Sequence, residues 1–128
     1  MNTYFWFSVL VAINSILVLA LALNVSRLRI KHKVSLGDGG NKGLMAAIRT
    51  HSNAVEQLPI FATTILTLTL IQPTATILPI AVIGFTLSRF SHAYGMLFRV
   101  FIVRRVGAGF TYIFQAIAAV SVCTYLLM

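Results

Sequence analysis

A chain of 128 residues that is 59% hydrophobic and only 9% charged, with a mean hydropathy of +0.92, cannot present an ordinary water-facing surface, because soluble domains carry roughly 25% charged residues. Ten Lys and Arg stand against two Asp and Glu, but the basic residues flank apolar runs instead of forming a basic domain. That placement argues against nucleic acid and points to anionic lipid headgroups or an anionic ligand. The single cysteine, Cys123, excludes an intrachain disulfide and a thiolate metal cluster, and it reads as a packing residue; no metal site is expected.

Residues 3–26 contain no charge. A helix of that length rises about 36 Å, enough for the roughly 30 Å hydrocarbon core of a bilayer. A signal peptide would place basic residues before a shorter apolar core; here they follow the run, so the segment reads as a transmembrane helix. The stretch from Arg27 to Gly43, rich in Lys, Arg and Gly, reads as a loop around the Asp38-Gly39 pair. A second helix is expected over about 44–71, ended by Gln72-Pro73-Thr74. A third follows over about 77–97, then a short basic stretch from Arg99 to Arg105. A fourth helix is expected over about 106–128. The whole is expected to be one domain over residues 1–128, an all-α integral membrane four-helix bundle.

Loop charge sets the expected orientation. Arg27, Arg29, Lys31, Lys33 and Lys42 fall in the first connection and Arg99, Arg104 and Arg105 in the third, while the second, around 72–76, has none. Since basic loops stay inside, the first and third connections are expected to be cytoplasmic and both termini outside. Tyr4, Phe5, Trp6 and Phe7 suit an interfacial aromatic belt at the outer face.

Membrane burial makes the remaining polar groups informative. Arg49, Asn53 and Glu56 are spaced four and three apart and fall on one narrow helical stripe. A carboxylate near membrane depth must be paired, protonated or hydrated, so Glu56 is either half of an interhelical clasp with Asn53 or a ligand contact. Arg89 and His92 lie one turn apart on one face of the third helix, with Arg99 near the edge of that stripe. His51 points roughly away from the Arg49 stripe and His32 sits in the basic loop, so neither is a candidate for chemistry. Tyr94 and Tyr112 could donate a hydrogen bond to a ligand, although packing is the simpler role for each. Together these groups describe a basic pocket with one carboxylate and one imidazole. It suits a small anion that also carries an ammonium group, its carboxylates held by arginines and its amine by Glu56.

The run RTHSNAVEQLPIF resembles the second-helix signature of the MAPEG family (membrane-associated proteins in eicosanoid and glutathione metabolism), Arg-x-x-x-Asn-x-x-Glu followed by Pro and Phe. SLGDGGNKGL is similar to the first loop of the family's bacterial branch. RFSHAYG resembles its third-helix Arg-x-x-His element, and RRVGAGFTY its entry to the fourth helix. The resemblance implies a homotrimer in a bacterial inner membrane, with glutathione as co-substrate bound between subunits near the cytoplasmic face and an apolar electrophile or peroxide arriving through membrane lipid. By position it implies glutathione contacts at Arg27, Arg49, Asn53, Glu56 and His92, with Arg89 beside them. Arg105, with Arg104 the alternative, would hold the sulfur as thiolate. Ser52 replaces the basic residue that precedes the Asn in the prostaglandin synthase type, Met96 replaces a tyrosine one turn after the histidine, and Gly109 falls where a tyrosine would follow Arg105. Two other functions share the expected architecture: a non-catalytic lipid-binding or scaffold member of the same family, and a small four-helix multidrug exporter. The exporters resembled in size carry an essential glutamate in the first helix, where this chain has only Asn14 and Asn24.

Overall fold

The computed structural model describes residues 2–128. It contains four helices: α1 (Phe5–His32), α2 (Lys42–Ile71), α3 (Ile77–Leu97) and α4 (Phe101–Leu127). α3 has the bounds expected of it. α1 and α4 overrun theirs at the charged end, α1 continuing past Ser26 to His32 and α4 beginning at Phe101. Arg27, Arg29, Arg104 and Arg105 are therefore helical and not in loops. An uncharged run measures hydrocarbon thickness, whereas a helix ends where its hydrogen bonds end; the 28 residues of α1 rise about 42 Å, well beyond a 30 Å core.

The helix ends have local causes. Lys33 ends α1 in the left-handed region at φ 55°, and the Val34 amide donates to Arg29 O at 3.1 Å. Arg29, Lys31 and His32 in the last turn complement the helix dipole. The following loop is held by Arg29, whose Nη1 donates to Gly37 O at 2.8 Å, and by Asp38, which accepts from the Gly40 amide at 2.9 Å. Asn41 caps α2, its Oδ1 accepting from the Leu44 amide at 2.9 Å. Pro59 lies inside α2 and leaves the Val55 carbonyl without its helical donor.

α1, α2 and α4 are each long and apolar enough to cross a membrane. α3, 21 residues long, is interrupted by Arg89 and His92, and those two groups are buried. α3 packs against α1, α2 and α4, most extensively against α4, and leaves Ile80, Leu87 and Tyr94 exposed on its other face, while α1 and α4 do not meet among the described residues. The close α3–α4 approach depends on glycine. A Cβ at Gly95 would lie 2.6 Å from Arg104 Cα, and one at Gly107 would lie 2.8 Å from His92 Cα and 2.9 Å from Ser88 O.

Apolar packing fills the half of the bundle nearer Gln72, where Leu10, Phe61, Ile65, Leu68, Leu78, Val82 and Phe85 are buried and the Phe61 and Phe85 rings stack at 3.8 Å. Polar groups join the helices beyond it. Asn14 Nδ2 donates to Thr86 Oγ1 at 3.0 Å, and Gln115 Nε2 donates to Gln57 Oε1 at 2.9 Å. A smaller apolar cluster of Leu17, Leu21, Ala54 and Ala93 lies toward the charged end.

Candidate functional site

Two polar assemblies occupy the charged half of the bundle. The deeper is centred on Arg89 of α3, which is 3% exposed. Its Nη2 donates to Asn53 Oδ1 of α2 at 2.7 Å and lies 3.5 Å from His92 Nδ1, and its Nη1 lies 3.4 Å from Thr111 Oγ1 of α4. Thr111 in turn donates to Gly107 O at 2.8 Å. The polar stripes read from α2 and α3 thus meet at Asn53 and Arg89. No buried side-chain polar atom is left without a partner among the described residues.

The second assembly is a cleft of about 480 Å³ at the charged end, within the size range of small-ligand pockets. α2 contributes Lys42, Met45, Ala46 and Arg49. α3 and its following turn contribute Gly95, Met96 and Arg99, and α4 contributes Phe101 and Arg104. Four cations and no carboxylate line it. It also lies at the N-termini of α2 and α4, where the helix dipoles add positive potential. Neither helix has an acidic residue in its first turn. Cations at a helix N-terminus oppose the dipole, at a cost of about 0.3–1 kcal/mol each when exposed, so this arrangement is poor for stability and good for an anion. Three half-exposed apolar side chains, Met45, Met96 and Phe101, would meet the carbon skeleton of such a ligand.

The remaining candidates stand apart from the cleft. Arg105 is exposed on the far side of α4 from Gly107, its guanidinium 5.3 Å from the Phe101 ring centroid. Glu56 is exposed two turns beyond Arg49 on the outer face of α2. Arg27 is exposed near the end of α1, its Nη2 donating to Asn24 Oδ1 at 2.9 Å. The chain therefore brings Arg49 to Arg104, and Asn53 to Arg89 and His92, but leaves Glu56, Arg27 and Arg105 on outward-facing surfaces. Lys42, expected in the first connection, opens α2, while Arg99 lies in the connection expected for it; Lys42 and Met96 are not among the site residues expected from the sequence. Their membership of the cleft depends on where the helices end, and the signal available was their position next to those ends.

A second cavity, of about 340 Å³, runs between α3 and α4 and is lined largely by apolar groups, among them Leu87, Val106, Phe110 and Phe114. Among the described residues no group of His, Cys, Asp and Glu could hold a metal ion.

Comparison with known proteins agrees with the helix order and the motifs. A profile of the MAPEG family matches residues 7–124. The chain is similar to proteins called inner membrane protein YecN from two strains of Escherichia coli, K12 and an O6:H1 strain. Identity is 34% over 100 residues in each case, covering 78% of this chain and 76% of the relative. A four-helix membrane bundle that matches the family profile over nearly its whole length is a member of it: this chain belongs to the MAPEG family.

Proposed function

We propose that the protein is a glutathione-dependent transferase or peroxidase of the bacterial inner membrane, acting on apolar electrophiles. The observation that carries this reading is the cleft itself: Lys42, Arg49, Arg99 and Arg104 with no acidic neighbour, opening beside apolar side chains at the end of a membrane bundle. Guanidinium groups suit the two carboxylates of the tripeptide, and a further cation beside the sulfur lowers the thiol pKa. Within one chain Arg104, which lines the cleft, would be that cation. Arg105 takes its place where the site is completed by a neighbouring copy, together with Glu56 for the amine and Arg27, all three being exposed on the single chain. Arg89 of α3, through Asn53 of α2 and Thr111 of α4, links the three helices behind the cleft, with His92 beside it.

In the transferase reaction the thiolate attacks an electrophilic carbon, a C–S bond forms, and the leaving group departs with its bonding pair and takes up a proton. With a hydroperoxide, the thiolate takes the terminal oxygen as sulfenic acid while the O–O bond breaks and the alcohol leaves. A second glutathione then displaces water to give the disulfide. The apolar substrate reaches the sulfur from the hydrocarbon.

The α3–α4 groove favours a second reading, a lipid-binding member of the family without turnover, because its lining suits an acyl chain. Glutathione titrated into the detergent-purified protein separates the two. Calorimetric binding together with a new ultraviolet thiolate band is the expected result. Neither signal from the wild type removes the enzyme reading and leaves the lipid-binding one.

A further inference from the structure

We infer that Arg99 is a specificity-determining residue of the cleft, a guanidinium placed on a backbone position that favours glycine so that an oxyanion is gripped from the α3–α4 turn. The inference deepens the function proposed above and rests on it. Arg99 has φ 58°, and the Val100 amide donates back to Gly95 O at 2.9 Å. This is the left-handed helix end at which glycine or asparagine is ordinary and other side chains with a Cβ are strained. The turn has only three residues between α3 and α4, so a glycine here would end the helix with less strain. The side chain that accepts the strain lines the cleft together with Arg49 of α2 and Arg104 of α4. It adds a third arginine, from a third element, to a site already rich in positive charge. Strain at a site that binds charge is the pattern expected when function sets the residue.

A plainer reading is that Arg99 complements the dipole at the end of α3. The chain contains a control for it. Lys33 ends α1 in the same conformation, at φ 55°, with the Val34 amide returning to Arg29 O at 3.1 Å. Lys33 lines neither cavity. A dipole role makes the two residues behave alike, whereas a ligand role separates them.

Glutathione is titrated into the full-length wild type and into Arg99→Gly, Arg99→Lys, Lys33→Gly and Arg49→Ala, with the melting temperature of each ligand-free protein recorded in the same detergent. Both glycine variants are expected to melt at higher temperature than the wild type. Only Arg99→Gly among the two should lose affinity, by about ten- to hundredfold, the worth of a charge-assisted hydrogen bond. Arg99→Lys should recover part of that loss, because it restores charge without the planar fork. Wild-type affinity in Arg99→Gly alongside weakened binding in Arg49→Ala would overturn the inference and leave the proposed function standing. A lower melting temperature in Arg99→Gly would overturn it as well, since Arg99 would then be a cap. Absence of glutathione binding by the wild type removes the proposed function and this inference together.

Discussion

Arg89 is a cation enclosed by neutral partners. Asn53, Thr111 and His92 surround it, and no carboxylate lies among its hydrogen-bond partners. A guanidinium in the hydrocarbon region costs about 2.5–3.5 kcal/mol even on the mildest scale, and hydrogen bonds to a charged group return about 1.5–3 kcal/mol each. Only the Asn53 contact, at 2.7 Å, is short, and one such bond about offsets the cost, so that contact adds little net stability. Removing only the arginine is different, because Asn53 Oδ1 is then left without its donor at a cost of about 1–3 kcal/mol, and alanine adds a cavity. We expect Arg89→Ala to unfold at markedly lower temperature or denaturant than the wild type. The double variant Arg89→Met/Asn53→Leu should recover most of the loss, because both partners become apolar. Equal destabilisation of single and double variants in detergent would show that the charge itself is required for folding. Gly95 makes the complementary case at a steric site. Its missing Cβ would lie 2.6 Å from Arg104 Cα, and backbone cannot turn aside as a side chain can. Gly95→Ala should force α3 from α4, with lost thermal stability and lost anion binding together, whereas Gly109→Ala, which meets nothing within 4 Å, should leave both unchanged.

At the scale of the helices, the apolar runs announced four elements and the Gln72-Pro73-Thr74 break between the second and third. They did so because bilayer thickness imposes a minimum length on any uncharged helix. They did not announce where α1 and α4 end at the charged side, since nothing in headgroup water stops a helix of Arg, Leu and Ile. Arg99 does lie in the connection expected for it, whereas Arg104 belongs to α4; the basic pocket expected at this end forms around both, but without the carboxylate and the imidazole assigned to it. The stripes Arg49–Asn53–Glu56 and Arg89–His92 were legible from their spacing, and Asn53 meets Arg89 at 2.7 Å. Which member of a stripe faces the cleft depends on packing, and Glu56 lies outside it. Orientation remains a separate expectation resting on loop charge. After Cys123, which is exposed, is replaced by serine, single cysteines are placed at Lys42 and at Thr74. An impermeant thiol reagent added to intact cells should label Thr74→Cys and spare Lys42→Cys. The reverse pattern would invert the bundle and put the cationic cleft outside.

At the scale of the whole molecule, the single chain leaves surface that a bilayer alone covers poorly. Its accessible area is 7699 Å², against about 6,700 Å² expected of a compact soluble protein of the same mass. The outer face of α2 includes Ile60 at 65% and Leu70 at 63% exposure, which lipid can cover, but it also includes exposed Glu56. Fifteen residues separate Glu56 from the end of α2 at Ile71, about 22 Å along the helix axis; with Ile71 at the far edge of a roughly 30 Å hydrocarbon core, the carboxylate falls near or below the headgroup level of the other side. A bare carboxylate there costs several kcal/mol. Within the chain the cleft cations do not reach it, and Arg27 and Arg105 are exposed elsewhere. A neighbouring copy can supply the missing arginine, and bound glutathione its amine, which is a physical case for an oligomer; the number three is implied by the family resemblance alone. Three chains of 14.0 kDa should appear as one species of about 42 kDa in native mass spectrometry from a mild detergent. Glu56→Gln should keep that mass where close packing of small-residue helix faces holds the copies together, yet bind glutathione about ten- to hundredfold more weakly through loss of the contact to its amine. Arg105→Ala should likewise stay assembled while its thiolate band diminishes. A wild-type spectrum of monomers and dimers only would sink the shared site. Glutathione binding would then have to be carried by Arg49, Arg99 and Arg104 of one chain, and the Glu56→Gln affinity should match the wild type.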